Sequence, residues 1–180
     1  MSIIKIVSGG QTGADRGGLD ASTYCNIPHG GWCPKGRKAE DGKIPARYLL
    51  AETMSADYLK RTERNVVDSD ATVVFTLGPP SGGSLRTIDF CLEHHKPFLH
   101  LDIDVVSRDE AVKAIVDWLQ GRASYDYENY EAWPPATCVL NVAGTCESGA
   151  DGIKDLVMAI MIDVLITVNP ECRKQYPIAG

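Results

Sequence analysis

The sequence is short of positive charge and of long apolar stretches. Lysine and arginine number 18 against 24 aspartates and glutamates, so the net charge of −6 leaves no basic excess for nucleic acid. The longest apolar stretch, residues 156–168, is interrupted by Asp163 and is too short to span a bilayer. We therefore expect no nucleic-acid partner and no membrane partner. A small anion remains possible, because a few amides and cations suffice to bind it.

The spacings typical of metal sites and of disulfide frameworks are also lacking. The six cysteines contain no CxxC pair, and neither they nor the four histidines follow the spacing of a zinc site. The first residues lack the basic segment and the long apolar core of a signal peptide. These features predict reduced thiols, a cytoplasmic location and no structural metal.

The fingerprints of common nucleotide-binding and hydrolase sites do not fit the sequence. The N-terminal glycines cannot be threaded onto GxGxxG, and Leu19 follows Gly13 and Gly18 where a P-loop requires lysine. The serine elbow GxSxG is absent as well. The sequence therefore supports neither ordinary dinucleotide binding nor nucleoside-triphosphate hydrolysis.

Strand-like and helix-like segments alternate along the 180 residues. The length fits one domain, residues 1–180, and the alternation predicts an α/β fold with helices on both faces of a mainly parallel sheet of about five to seven strands. Ser107 and Glu110 fit a capping box at the start of the fourth helix, and Pro170 is expected to stop the fifth. The predicted strands are 3–7, 27–32, 71–77, 97–101 and 137–142, and the predicted helices are 14–24, 55–68, from 84, 111–120 and 152–168.

Two stretches follow no regular pattern. Residues 33–47 contain two prolines and two glycines and are expected to form a long surface loop. Its cations either fold over a ligand as a mobile lid or are simply solvated; they are Lys35, Arg37 and Lys38. Residues 121–135 contain three tyrosines and a tryptophan and are a candidate subunit interface.

Three predicted strand ends carry glycine together with small polar residues. They are residues 8–13 (SGGQTG), 81–84 (SGGS) and 141–144 (NVAG). The carboxyl ends of parallel strands lie at one edge of an open sheet, which is where such sheets bind ligands. Glycine lets a backbone approach a ligand closely, and a helix that begins after the turn offers free N–H groups to a phosphate. One such turn is more often structural, but three at one edge predict a ligand pocket.

Several side chains near these turns have both a binding and a structural interpretation. Arg61 and Asn65 share a helix face that either reaches a ligand anion or is merely solvated. Trp32 either stacks on a flat ring or packs under the neighbouring loop, and Asp15 either contacts a ligand or complements a helix dipole. The predicted ligand-binding residues are Gly9, Gly10, Gln11, Thr12, Gly13, Asp15, Trp32, Lys35, Arg61, Asn65, Gly82, Gly83, Ser84, Thr87, Asn141, Gly144 and Glu147.

Five segments, in this order along the chain, resemble the molybdenum carrier family. They are residues 6–20 (IVSGGQTGADRGGLD), 31–42 (GWCPKGRKAEDG), 61–66 (RTERNV), 68–72 (DSDAT) and 141–144 (NVAG). The resemblance implies a Rossmann-like three-layer fold with a mainly parallel central sheet, and a homo-oligomer. It also implies an anionic ligand, either a molybdenum cofactor or a nucleotide. We expect the phosphate of that ligand on the amides of residues 9–13 and its ring toward Trp32.

The same resemblance leaves an enzyme as the alternative. The wider group includes lysine-decarboxylase-like proteins that cleave nucleotide N-glycosidic bonds and carry a PGGxGTxxE motif. The corresponding residues 80–90 (PSGGSLRTIDF) lack the glutamate in register, and Asp89, one position short, would be rotated by ~100° away from the pocket. Glu147 remains a candidate catalytic base. We therefore favour a carrier that binds without turnover, with a phosphoribohydrolase-like activity as the alternative.

Overall fold

The computed structural model describes residues 1–122 and 135–175, with side chains up to residue 172. Its strands are β1 (Ser2–Val7), β2 (His29–Gly30), β3 (Trp32–Cys33), β4 (Lys38–Ala39), β5 (Gly42–Lys43), β6 (Ala51–Glu52), β7 (Ala71–Thr76), β8 (Phe98–Asp102) and β9 (Thr137–Gly144). Its helices are α1 (Ala14–Tyr24), α2 (Tyr58–Val67), α3 (Gly82–Glu93), α4 (Arg108–Leu119), α5 (Ile153–Val168) and α6 (Pro170–Gln175).

Within the described residues, five strands form one sheet in the order β2-β1-β9-β7-β8. All neighbouring pairs are parallel, and one row of paired residues crosses the whole sheet: Gly30, Val7, Asn141, Thr72 and Phe98. The α/β fold with a mainly parallel sheet that the sequence predicts is confirmed.

The strand order is that of a Rossmann-like sheet whose first strand and helix have moved to the end of the chain. If β9 and α5 preceded β1, the five strands would read 3-2-1-4-5 across the sheet, which is the doubly wound order 3-2-1-4-5-6 without its last strand. In such sheets the ligand crevice lies where the chain direction switches, outside the carboxyl ends of strands 1 and 4. Here those strands are β9 and β7.

Helices cover both faces of the sheet. Val73 and Phe75 of β7, with Leu140 of β9, belong to a fully buried core that also includes residues of α1, α4 and α5. Because side chains alternate along a strand, Thr72 and Asn141 point to the opposite face, which α3 covers. There the Asn141 Nδ2 atom donates to Thr72 Oγ1 at 3.2 Å, which satisfies two buried polar groups.

Residues 33–47, for which the sequence predicts a long surface loop, pack against α1 and contain short strands. Strand β3 pairs with β6, β4 pairs with β5, and a second core forms against Leu19 of α1. The Arg37 guanidinium holds this segment together, since it donates to the carbonyls of Ile44, Pro45, Tyr48 and Leu50 at 2.9–3.1 Å. The interpretation of Arg37 as part of a mobile cationic lid is therefore wrong. Lys35 and Lys38 are exposed.

Local signals located several element ends to the residue. Helix α1 has the predicted bounds, and α5 ends at the predicted Val168. The Ser107 capping box is present but opens the helix at Arg108, earlier than predicted. Pro170 begins α6 and does not merely end α5, because proline suits the first turn of a helix. In the ranges 1–122 and 135–175, no helix combines the length and apolar character that crossing a membrane requires. The candidate interface at residues 121–135 lies almost wholly outside the described residues.

Asn169, directly after α5, ties that helix to the start of β1. Its Oδ1 accepts the Ile3 N–H at 3.0 Å and its Nδ2 donates to the Ile3 carbonyl at 2.6 Å, with both residues buried. Asn169→Ala leaves the buried N–H and carbonyl of Ile3 without a hydrogen-bond partner and should lower the free energy of unfolding by about 2–4 kcal/mol in urea titrations. Thr167→Ala, which removes an exposed hydroxyl of the same helix, is the control. Equal effects from the two substitutions would contradict this role.

Candidate functional site

A cleft of about 550 Å³ opens at the carboxyl ends of β7 and β9, at the point where the strand order switches. Its walls come from α2 on one side and from the first turns of α3 on the other, and all three glycine turns reach it. The predicted site residues that line it are Gln11, Asp15, Arg61, Gly82, Gly83, Ser84, Thr87 and Gly144.

The turn at residues 8–13 is closed by the protein itself. Gly10 and Gly13 both have φ of +74°, which favours glycine. A Cβ on Gly10 would lie 2.5 Å from Leu50 Cδ1, and one on Gly13 would lie 2.4 Å from the Thr145 carbonyl oxygen. The N–H groups of Gln11 and Thr12 are already donated to the side chains of Asp15 and Gln11. Little of this turn remains open to a phosphate.

The turn before α3 is open. Gly82 has φ of +49°, and a Cβ on either Gly82 or Gly83 would meet no atom within 4 Å. The hydroxyls of the next turn are committed to this backbone, because Ser84 Oγ donates to the Ser81 carbonyl at 2.7 Å and Thr87 Oγ1 donates to the Gly83 carbonyl at 2.9 Å. Gly82 and Gly83 line the cleft, so the start of α3 and the positive end of its dipole lie at the cleft wall.

A buried ion pair forms the back of the cleft. Arg61 Nη1 donates to Asp15 Oδ2 at 3.2 Å, and both residues are at least nine-tenths buried. Arg61 Nε is a fully buried N–H that has no hydrogen-bond partner among the described residues. Burial raises the pKa of the Asp15 carboxyl above its ordinary value, although the Arg61 charge and the Gln11 amide act in the opposite direction.

The end of β9 meets β7 closely beside this pair. A Cβ on Gly144 would lie 2.0 Å from the Phe75 carbonyl oxygen, and Thr145 N donates to the same oxygen at 2.9 Å. Asn141 lies farther down the strand, is 2 % exposed and does not line the cleft. Its predicted contact with a ligand is replaced by its hydrogen bond within the sheet.

Trp32 and Asn65 lie at a separate pocket of about 280 Å³. Asn65 brackets the backbone of Trp32, accepting its N–H at 2.7 Å and donating to its carbonyl at 3.0 Å. The Arg64 guanidinium lies 3.7 Å from the indole centroid, and the indole N–H donates to Asp68 at 2.6 Å. Asn65 shares a helix face with Arg61 but lies one turn along, ~6 Å farther from the strand ends. The structure thus does not bring Trp32, Asn65 or the exposed Lys35 to the cleft.

Glu147 serves a helix terminus and does not line the cleft. Its carboxylate accepts the N–H groups of Gly152 at 2.7 Å and Lys154 at 3.1 Å at the start of α5, where a negative charge complements the helix dipole. Asp89 is paired with Arg86 at 2.7 Å and is likewise absent from the cleft wall. Among the residues that the structure describes, the acidic side chain that lines the cleft is Asp15.

Glu40 joins two loops of the cleft, and sequence reasoning did not identify it. Its carboxylate accepts hydrogen bonds from the Thr12 hydroxyl and from the Ser148 hydroxyl, the latter at 2.6 Å, and its own N–H donates to Gln11 Oε1 at 2.9 Å. Beside it Asp41 binds Arg16 through both carboxylate oxygens, at 2.6 and 2.8 Å. These partners lie far apart in the sequence, so no local spacing could have signalled the contact.

A larger groove, of about 600 Å³, lies between α4 and α5, away from the strand ends. Its charged residues are already partly paired, since Asp117 binds both Lys113 and Arg122. No glycine turn reaches it. Over residues 1–122 and 135–175, no three histidine, cysteine or acidic side chains cluster as metal ligands.

Fold and cleft together define a circularly permuted Rossmann-like α/β protein with its cleft at the switch point. The chain belongs to the circularly permutated YpsA SLOG family, whose model matches residues 6–165. The chain is similar to a crystal structure from Syntrophus aciditrophicus SB that is described as a putative molybdenum carrier protein. The two sequences are 40 % identical, the match covers 92 % of this chain and 96 % of that chain, and the TM-score is 0.77. No curated protein matches the chain significantly. The family resemblance read from the sequence is confirmed.

The contacts of Glu40 predict a pH-dependent stability. The hydroxyls of Ser148 and Thr12 lower the pKa of Glu40 from 4.5 to about 2, so the folded state prefers the charged form. The stabilisation should be complete at neutral pH and lost as the pH falls from about 4.5 toward 2. Thermal unfolding of Glu40→Gln should therefore differ most from the unsubstituted protein at neutral pH.

The matched control is Glu93→Gln, at the exposed end of α3. This substitution should leave the pH profile of the unfolding temperature unchanged. A Glu40→Gln profile that runs parallel to that of the unsubstituted protein down to pH 2 would contradict the role of Glu40.

Proposed function

We propose that this protein binds an anionic, phosphate-bearing, nucleotide-like ligand in the cleft and holds it without chemical change. The observation that carries the proposal is the buried Arg61 guanidinium beside the open first turn of α3. An unpaired buried N–H costs roughly 1–3 kcal/mol, so a site that retains Arg61 Nε without a partner in the described residues is short of an acceptor. A ligand oxygen in the cleft would supply an acceptor to this guanidinium, since Arg61 lines the cleft wall.

The donors around the cleft suit a phosphate. The amides of Gly82 and Gly83 carry the partial positive charge of a helix start, both residues line the cleft, and no atom lies within 4 Å of the position that a Cβ would take on either of them. The Arg61 guanidinium presents a planar set of donors, a geometry that matches phosphate oxygens. Tyr58 and Leu59 on the α2 wall supply a more apolar surface for the remainder of the ligand.

A molybdenum cofactor is one ligand that these residues fit, through its phosphate. The related structure from Syntrophus aciditrophicus SB is described as a putative molybdenum carrier, which supports this choice. Within the described ranges the chain offers the cleft N–H donors and no cluster of metal ligands. The protein would thus hold such a cofactor by its organic part, and a nucleotide would use the same donors.

Two further expectations accompany this function. The family resemblance implies a homo-oligomer. Sedimentation at micromolar concentration tests this state, and a clean monomer would contradict it.

The cysteines support a cytoplasmic location, since Cys25 and Cys138 are buried and form no disulfide, and burial raises the pKa of each thiol to about 12. Such thiols are poorly reactive.

Gly83→Ala separates binding from stability. The methyl group would enter the cleft, while alanine within a helix is favoured over glycine by about 0.5–1 kcal/mol. We therefore expect equal or higher thermal stability together with affinity at least about tenfold weaker, measured by calorimetric titration with AMP, ADP and molybdate.

Glu93→Ala, on the exposed end of the same helix, is the control and should bind like the unsubstituted protein. Undiminished affinity of Gly83→Ala for a probe that the unsubstituted protein binds would contradict binding at this turn. Native mass spectrometry of the purified protein identifies any ligand that is carried through purification.

An N-glycosidic hydrolase is the second candidate, and the position of Asp15 favours it. Asp15 places a carboxyl group of raised pKa next to the Arg61 cation within the cleft. A carboxyl group able to hold a proton and a cation able to stabilise developing charge are what cleavage of a nucleotide at its glycosidic bond requires. The glutamate of the PGGxGTxxE motif is missing, however, which is why we propose binding without turnover.

Incubation with a panel of nucleoside monophosphates, followed by chromatography of released base, decides between the two functions. We expect no release above the uncatalysed rate. If base is released, Asp15→Asn should abolish the release, whereas Glu147→Gln should only lower stability, since Glu147 caps α5. Release that depends on Asp15 would replace the carrier by a hydrolase.

A further inference from the structure

We propose that the first glycine turn is the seat of the Arg61 guanidinium, and that Gly9 and Asp15 are positioning residues for it. The inference rests on the proposed function, in which Arg61 contacts the ligand anion. It assigns this turn a task different from the phosphate cradle that glycine-rich turns usually indicate.

Gly9 is required by what lies against it and not by its own backbone conformation. Unlike Gly10 and Gly13, it is not among the glycines of positive φ, so alanine is allowed there on conformational grounds. A Cβ on Gly9 would lie 1.7 Å from Arg61 Nη1, 2.1 Å from Cζ and 2.6 Å from Nε. The three atoms nearest to that Cβ all belong to Arg61, so the missing side chain makes room for the guanidinium.

Asp15 fixes the same guanidinium from the start of α1. Its Oδ2 accepts from Arg61 Nη1 at 3.2 Å and from the Gln11 N–H at 3.1 Å, which ties the ion pair to the glycine turn. The Asp15 side chain is 5 % exposed and the Arg61 side chain 11 %. Holding a long arginine side chain in one rotamer costs conformational entropy. Because folding already meets this cost, the ligand does not have to order Arg61 when it binds.

A double-mutant cycle tests the positioning role of Gly9. Gly9→Ala alone should lower the unfolding temperature by about 4 °C or more, because the guanidinium has to leave its place beside Asp15 to make room for the methyl group. In a protein that also carries Arg61→Ala, the same Gly9→Ala change should cost almost nothing. Arg61→Ala leaves the buried Asp15 carboxylate without its partner. If the protein then fails to fold, the cycle is run in a background that carries both Asp15→Asn and Arg61→Ala, which removes both charges of the pair together.

Gly18→Ala is the matched control. Its Cβ would lie 2.6 Å from Val142 Cβ, in the core under α1 and away from Arg61. The control should destabilise the protein equally with and without the Arg61 side chain. An additive effect of Gly9→Ala, the same in both backgrounds, would overturn the proposal, because Gly9 would then be needed for some other contact.

A binding measurement links the cycle to the ligand. Titrations with AMP and with inorganic phosphate, well below the unfolding temperature, should show that Gly9→Ala weakens binding about as much as Arg61→Ala, by about tenfold or more. Gly18→Ala should bind like the unsubstituted protein. Normal affinity of folded Gly9→Ala would overturn the positioning role. If the unsubstituted protein binds neither these probes nor ADP or molybdate, the proposed function fails, while the stability cycle still decides whether Gly9 seats Arg61.

Discussion

Strand β9 lies between β1 and β7 and joins the two sides of the sheet. Without this strand, β1 and β2 would form one pair and β7 and β8 another, with no hydrogen bonds between the two pairs. The contact is close, since the carbonyl of Phe75 accepts the Thr145 N–H at 2.9 Å and leaves no room for a side chain on Gly144. Because β9 is central, the ends of β1, β7 and β9 converge and each supplies part of the cleft.

The Arg61–Asp15 pair is better explained by binding than by stability. Removing two charges from water is costly, and replacing a buried pair by apolar residues often leaves a protein as stable or more so. This pair also leaves Arg61 Nε without a partner among the described residues. The energetic cost of burying this pair is explained if the guanidinium has to be fixed in place to bind an anion. Asp15 compensates most of the charge, which lets the cleft discriminate by hydrogen-bond geometry as well as by charge.

Features governed by neighbouring residues were predictable from the sequence. The bounds of α1 and the parallel sheet follow from turn glycines and from a nearly continuous apolar β7, and the three glycine turns at strand ends lie at one edge of the sheet, as their positions predict. Features governed by distant contacts were not. The sequence gives no sign that Gly9 lies against Arg61, or that Glu147 turns back to cap α5.

Trp32 is a second case in which distant contacts, which the sequence does not reveal, decide where a side chain lies. It stands near the predicted site in the sequence, yet Asn65 and Asp68 hold it at another pocket. A tryptophan beside a glycine turn carries no information about which of two neighbouring pockets its ring will face. The assignment of a ligand ring to Trp32 could therefore be tested only once the path of the backbone was known.

Ligand binding in the cleft is tested most directly by a nitrogen–proton NMR titration with AMP that follows the Arg61 Nε–H, the amides of Gly82 and Gly83, and the indole N–H of Trp32. We expect the Arg61 and glycine signals to shift together with a single dissociation constant while the Trp32 signal stays in place. Shifts confined to Trp32 or to the amides of residues 10–13, with Arg61 Nε–H unmoved at saturation, would contradict this expectation.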